Sequence, residues 1–417
     1  MDIIKTDGVD IKSWCPTVEE GAMDQMKLIA KLPYVKECCL MADGHLGMDC
    51  CIGGVVACEN VVVPNFVGSD CGCGMAAMRT NLTIDDMTED KKQRLFDLIS
   101  QAVPVGFSHN TDERRKDLAK RYQDKIDFLI DKSNIASFAD HNPIGDCDKS
   151  ILSQMGTLGG GNHFIECQVD EEGFVWIMLH SGSRNIGKKL GDYFNDIAKD
   201  LNAKWFSVAS AIPFLPTDTA EGKAYLAWME FALRFAFLNR QVMMHSILAV
   251  FEREFCNVKF TTSSLVDDTV NGMITIHHNF AAIENHHGRN YWIHRKGATK
   301  ADVNRTGIIP GSMGTSSYIT KGLGNHNSLL SASHGAGRKM GRMEFSRQMK
   351  DNQDQIDKSL EGIIHSDFGE FQHGKMKGVK DVSEAPAAYK DIDLIMSWQN
   401  DLVEPIVKLR PLISIKG

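Results

Sequence analysis

The stretch from Tyr225 to Phe255 is the longest apolar-rich segment of the chain, and Glu230, Arg234, Arg240, Glu252 and Arg253 interrupt it. A membrane-spanning helix does not tolerate charges at those intervals, so the segment reads as a long helix buried inside the protein itself. The start, Met1-Asp2-Ile3-Ile4-Lys5, lacks the basic region and apolar core of a secretory signal. The expected location is the cytoplasm, with no membrane partner.

Candidate site residues run from Asp43 to the C-terminus of the 417-residue chain, with no internal repeat, low-complexity tract or linker between them. Independent domains would confine the chemistry to one half or to a boundary, so one integrated domain over residues 1–417 is expected. Eleven cysteines, concentrated before position 75 and without small-scaffold spacing, argue against a disulfide framework. Cys38-Cys39 and Cys50-Cys51 are adjacent pairs whose side chains would alternate in direction on a strand, and they read as packing. A net charge of −8 argues against a protein that coats nucleic acid non-specifically. Basic residues nevertheless cluster beside glycine-rich segments: Arg184, Lys188 and Lys189; Arg295, Lys296 and Lys300; Arg338, Lys339 and Arg342. Together they favour a polyanionic ligand.

Apolar spacing predicts helices near 19–32, 88–104, 112–132, 188–204, 221–255 and 391–401, with the 112–132 helix a charged surface element. Strands are expected at 52–58, 61–67, 174–179 and 274–279. Glycine-rich turns stand at or near the strand ends, where sites are usually built.

Val67-Gly68-Ser69-Asp70-Cys71-Gly72-Cys73-Gly74-Met75 places a carboxylate and a thiol three positions apart in such a loop, so Asp70 and Cys73 can converge on one point. A hard oxygen and a soft thiolate suit a metal that accepts both. His163, His180 and His278 each stand at a strand end or glycine turn and would complete a shell for one metal, or a lean shell for two sharing a ligand. Manganese, zinc or iron all fit that mixture. His334 lies between Ser333 and Gly335-Ala336-Gly337, where a phosphate can approach an imidazole unobstructed, as a nucleophilic histidine requires. His45 reads as a turn residue and His245 as structural.

Nine segments then occur in order: D-x-H-x-G at Asp43, S-D-C-G-C-G-M at Ser69, G-G-G-N-H-F-I-E at Gly159, H-S-G-S-R at His180, H-H-N at His277, R-K-G-A at Arg295, P-G-S-M-G at Pro310, S-H-G-A-G-R at Ser333, and the terminal K-G. Together they closely resemble the RtcB family of RNA-splicing ligases. The resemblance implies an α+β fold, a single large mixed α/β domain with its site built from loops at strand ends. It implies a GTP- and manganese-dependent ligase that joins an RNA 3′-phosphate or 2′,3′-cyclic phosphate end to a 5′-hydroxyl end, in tRNA splicing or RNA repair. Asp70, Cys73, His163, His180 and His278 fall on the family's metal positions, with Cys73 bridging two Mn2+ ions. His334 falls on the histidine that takes GMP from GTP. Asn162, His163, Phe164, Ile165, Glu166, His278, Asn279, Pro310, Gly311, Ser312, Met313, Ser317, His334, Gly335, Ala336, Gly337 and Lys416 fall on GTP/GMP-binding positions. Arg184 and Arg342 match arginines implied to hold RNA phosphates or pyrophosphate. The resemblance also admits an activating protein partner.

After D-x-H-x-G the family pattern has another glycine and a proline, whereas this chain has Met48-Asp49-Cys50-Cys51. The added carboxylate of Asp49 is expected to place negative charge near the guanylate and weaken its binding. Cys71 replaces an isoleucine and is expected to pack. The competing class is a metal-dependent phosphoesterase that opens 2′,3′-cyclic phosphates without ligating. It would need the five metal ligands but not His334, the guanylate loops or Lys416.

Overall fold

The computed structural model describes residues 1–106, 108–205, 212–261, 272–349, 352–371 and 377–417. It is an α+β protein whose strands form two large sheets. One joins, in spatial order, Asp2–Ile4, Ile11–Ser13, Val35–His45, Ile52–Cys58, Arg289–Lys296 and Asn279–His286. The other joins Phe260–Thr261, Gly74–Thr83, Phe174–Ser181, Phe164–Val169, Val403–Lys416, Ser317–Gly322 and Thr306–Ile309. Ile274–His277 pairs with Gly74–Thr83, and Ile364–His365 lies parallel to Val403–Lys416.

Register in the second sheet gathers the site. Gly74 stands opposite Ser181 and His277, Met75 opposite His180, and Phe164 opposite His180. Antiparallel pairing therefore brings the start of two strands and the end of two others to one edge, so the loop residues just outside them meet.

The apolar segment is a helix, Ala220–Glu254, as its composition requires. Its first half packs Tyr225, Trp228, Phe231 and Phe235 against Leu190 and Phe194 of the helix Asn185–Trp205. Its second half packs Met243, Ile247 and Phe251 against Ile165, Ile177 and Leu179 of the second sheet. A helix apolar on nearly every side is stable only when covered on nearly every side. Among the described residues no helix is long and apolar enough to cross a membrane.

Two expectations change, and one element was not anticipated. Only Val61–Val62 is strand, and Pro64, which has no N–H to give a ladder, opens a helical turn over Pro64–Val67. The helix Asp112–Ser133 is more than a surface element, since it buries Leu118, Ile126 and Leu129 in the core around the long helix. Arg114 in its first turn donates to the carbonyls of Ala102 and Gly156. The C-terminal tail is a fourteen-residue strand in the interior of the second sheet, with a register shift between Pro411 and Ile413 where proline cannot donate. The helices expected near 88–104 and 391–401 stand at Glu89–Ala102 and Ile392–Trp398, capped by Thr88 and Asp391.

Cys38 and Cys39 do enter opposite cores, as alternation demands. All eleven cysteines are free thiols.

Candidate active site

The turn Gly68–Cys73 follows the short helix Pro64–Val67, and its carbonyls are fixed by the long helix. Arg240 is fully buried there and donates to Gly72 O at 3.2 Å and Ser181 O at 3.0 Å. Its neighbour Asn239 accepts from Gly156 N at 2.7 Å and donates to Gly182 O at 3.2 Å. These two polar residues in an otherwise apolar helix clamp the three loops that carry Cys73, His163 and His180.

Cys73 Sγ lies 3.3 Å from His163 Nε2 and 3.2 Å from His180 Nε2. Asp70 Oδ2 stands 3.0 Å from His163 Nε2, and His278 Nε2 stands 3.2 Å from His180 Nε2. All five side chains expected at the metal therefore meet, with Cys73 between an Asp70–His163 side and a His180–His278 side. The outer nitrogens of two rings are held by carbonyls: His163 Nδ1 donates to Leu158 O at 2.9 Å, and His180 Nδ1 to Asn162 O at 3.1 Å. Both rings then present an Nε2 lone pair inward.

Protein hydrogens alone do not satisfy this cluster. With Nδ1–H fixed on both rings, the Cys73 thiol and the one N–H of His278 are the only protons left to share among Asp70 Oδ2, His163 Nε2, Cys73 Sγ and His180 Nε2. Asp70 Oδ1 and His278 Nδ1 are also buried without a partner. Burial and neighbouring imidazoles push His180 and His278 well below the ordinary histidine range, keeping them neutral. Burial and Asp70 push the Cys73 thiol well up. Neutral imidazoles, a carboxylate and a thiol that a cation would deprotonate fit a divalent ion. Gly182 belongs to the same design, because a Cβ there would land on the Asp70 carboxylate.

His334 extends the row of rings, its centroid 4.9 Å from that of His278. Its Nδ1 lies 2.6 Å from Asp43 Oδ2, which also accepts from the backbone N–H groups of His334 and Gly335. Asp43 has no exposed surface. Burial would raise its carboxyl, but the His334 ring more than offsets this and holds it below the usual range. The ionised carboxylate fixes His334 as the Nδ1–H tautomer and leaves Nε2 as the free nucleophilic atom. Gly337 makes the approach possible, since it has φ +70° and packs against the Asp43 backbone. Asp43 appears in the sequence as one letter of a turn motif, and nothing there marks it as the partner of a residue 291 positions away.

A cavity of about 320 Å³ opens beside His334, bounded by Phe164, Glu166, Met313 and Lys416 and reaching Asp70, Cys73, His180 and His278. Asn162, Asn279, the 310–313 turn and Gly335–Gly337 also face it. A larger groove of about 860 Å³ adjoins it on the far side of Asp70, with His163, Arg184, Lys188 and Arg342 on its walls. Asp70, Asn162, Met313, Arg342 and Lys416 border both spaces.

Several expected residues serve these spaces indirectly. Ile165 points away, into the core with Leu179, because alternate residues of Phe164–Val169 face opposite sides. Ser317 is buried and accepts from Gly311 N at 3.2 Å, shaping the 310–313 turn. Asn279 donates to Asp70 O at 3.1 Å and accepts from Gly297 N at 2.8 Å, locking two turns together. His277, next to His278, faces Gly72 O and Arg240 instead of the cluster. His45 borders the first cavity and gives its ring N–H to Asp43 O at 2.9 Å, outside the metal cluster.

Of the three basic clusters, the middle one is largely tied into the fold, although Lys296 borders the first cavity. Arg295 is fully buried on Glu284 at 2.7 Å, and Lys296 caps Met48 O and Asn65 O. Asp49 also departs from expectation: it is exposed, accepts from Asn65 Nδ2 at 2.7 Å and does not border the cavity. The left-handed φ of +61° turns it outward. Cys71 packs in the core beside Val67, as expected.

Comparison with known proteins gives the family of the chain. A family model described as tRNA-splicing ligase RtcB covers residues 25–417. The chain is similar to the RNA-splicing ligase RtcB of Escherichia coli K12, with 34% identity over 100% of this chain and 99% of the relative. It is similar also to the tRNA-splicing ligase RtcB of Nanoarchaeum equitans, at 32% identity over 96% and 92% of the two chains. An RNA-splicing ligase RtcB homolog of Entamoeba dispar is 30% identical over 93% and 80%.

Proposed function

On the premise that this chain belongs to the RtcB family and is an RNA ligase, we propose that it joins RNA 3′-phosphate or 2′,3′-cyclic phosphate ends to 5′-hydroxyl ends, with GTP as co-substrate and Mn2+ as metal. The observation that carries this reading is the Asp43–His334 pair, which leaves one imidazole nitrogen free at the wall of the cavity that meets the metal cluster. A phosphoesterase needs no such nucleophile.

His334 Nε2 attacks the α-phosphorus of GTP; an N–P bond forms and the bond to pyrophosphate breaks. Asp43 keeps the Nδ1 proton in place and stabilises the ring as it gains positive character. GMP then passes to an oxygen of the RNA 3′-phosphate, breaking the N–P bond. The RNA 5′-hydroxyl loses its proton and attacks that 3′-phosphorus, and GMP leaves. A cyclic phosphate is first opened by water to a 3′-phosphate. Asp70, Cys73, His163, His180 and His278 would hold the metal, whose chemistry is to neutralise phosphoryl charge and activate the attacking oxygen. Glu166 and Lys416 hold the guanine, one as acceptor and the other as donor, beside the Phe164 ring. Arg184 and Arg342 take RNA phosphates in the larger groove.

The test is to incubate the protein with α-labelled GTP and manganese and examine the denatured chain. Label that is released by acid, resists alkali and is absent in His334→Ala supports the reading. A reduced, metal-supplied protein that takes no label overturns it and leaves a ligase working by another nucleophile.

A further inference from the structure

Glu384 is a nearly buried carboxylate that no motif and no step above accounts for, and it gathers four donors. Its Oε2 accepts from Lys416 Nζ and Tyr389 OH, each at 2.6 Å. Its Oε1 faces Arg338 Nη1 at 3.3 Å and Arg342 Nη2 at 3.1 Å. The two oxygens thus serve two ends of one site: Lys416 borders the cavity of Phe164 and Glu166, and Arg342 borders both that cavity and the groove.

Charge and hydrogen bonding both stay unbalanced around Oε1. Three cations surround one carboxylate. Arg338 is only 11% exposed at its side chain, and its Nη2 is buried with no partner. Its Nε donates to Met340 O at 3.3 Å, and the guanidinium lies against the Tyr389 ring, 5.3 Å from the centroid. A guanidinium fork that meets a carboxylate through one nitrogen, at 3.3 Å, is poorly used compared with the bidentate geometry that it can offer a phosphate.

We infer that Glu384 is a positioning residue whose Oε1 occupies the seat of a substrate phosphate on Arg338 and Arg342, yielding it on binding, while Oε2 keeps Lys416 and Tyr389 aimed at the nucleotide. This rests on the ligase reading, because the phosphate is supplied either by the GTP triphosphate or by an RNA end. Glu384 is an internal competitor: removing its charge frees the arginines for an outside anion and releases Lys416 from its anchor.

Binding of inorganic pyrophosphate, and separately of a short oligoribonucleotide with a 3′-phosphate, is measured by calorimetry for the wild-type chain and Glu384→Gln. The expected result is about fivefold tighter binding of at least one probe by Glu384→Gln, with the difference shrinking as salt is added. Arg338→Gln added to that variant removes the gain. Where the tightening is confined to the oligonucleotide, the variant's KM for GTP in the labelling assay rises about tenfold, because Lys416 has lost its anchor and the triphosphate gains nothing at the seat. Tightening confined to pyrophosphate assigns the seat to the triphosphate, and tightening confined to the oligonucleotide assigns it to RNA. A folded Glu384→Gln that binds both probes equally or more weakly overturns the inference. The calorimetry needs no turnover, so it decides even if no GMP label forms. Should Glu384→Gln fail to fold, Glu384→Asp withdraws Oε1 by one methylene and must show the same tightening.

Discussion

Asp43 joins a buried charge, a backbone turn and a nucleophile in one side chain. Exchange to asparagine preserves its shape, but the amide can donate to Nδ1 and favour the tautomer with Nε2 protonated. Asp43→Asn is therefore expected to lower protein-bound GMP by about 10²- to 10⁴-fold, with metal content unchanged by elemental analysis. Glu166 makes a pH prediction. Burial raises its carboxyl to about 7 although Lys416, Ser414 and Gln168 all favour the charged form. In the proposed guanylate site the guanine N1–H and 2-amino group need an ionised acceptor, so the carboxyl would bind GTP well only above that value. The KM for GTP should fall as pH rises through about 7, and Glu166→Gln should flatten the profile. The proposed metal ligands were readable at this scale because each stands at a strand end or in a glycine-rich turn. Asp43 and Glu384 were not, because their partners are distant in sequence.

The long helix Ala220–Glu254 was legible as an element from its apolar content alone, and its charges served only to exclude a membrane. Its interior shows what one of them does. Arg240 satisfies two loop carbonyls and stands behind Cys73, and burial lowers its guanidinium to about 10 without neutralising it. Arg240→Met would leave the carbonyls of Gly72 and Ser181 without that donor and is expected to cost about 3–5 kcal/mol in denaturant unfolding. Because the same carbonyls position Cys73 and His180, metal affinity should fall in parallel. The terminal segment was not read as an element, for the complementary reason. A proline and basic residues argue against an interior strand, but pairing with Phe164–Val169 and Ser317–Gly322 overrides that local preference.

At the scale of the molecule, the proposed metal ligands come from turns at residues 70–73, 163, 180 and 278, so a bound ion cross-links segments far apart in sequence. An ion that binds the folded chain alone must stabilise it by mass action. Manganese at about a hundred times its dissociation constant should add about 2.7 kcal/mol to the unfolding free energy. The Tm of the wild-type chain should rise with manganese, and that of Cys73→Ala should rise far less. An equal rise in both would place the stabilising ion away from Cys73.

The sequence by itself determined the family and most of the helices, and it singled out the five side chains proposed to hold the metal and the histidine proposed as nucleophile. Those features depend on residue type beside glycine, or on apolar spacing over a dozen residues, and both are local. Tertiary structure alone decided which nitrogen of His334 is free, that Arg295 is buried on Glu284, that Ile165 belongs to the core, and that Asp49 faces solvent. Each of these depends on a partner hundreds of residues away, on the side of a strand, or on the hand of one backbone torsion. Strand register converts the first kind of information into the second: with Met75 and Phe164 both opposite His180, the thiol and the imidazoles just beyond the strand ends are forced together.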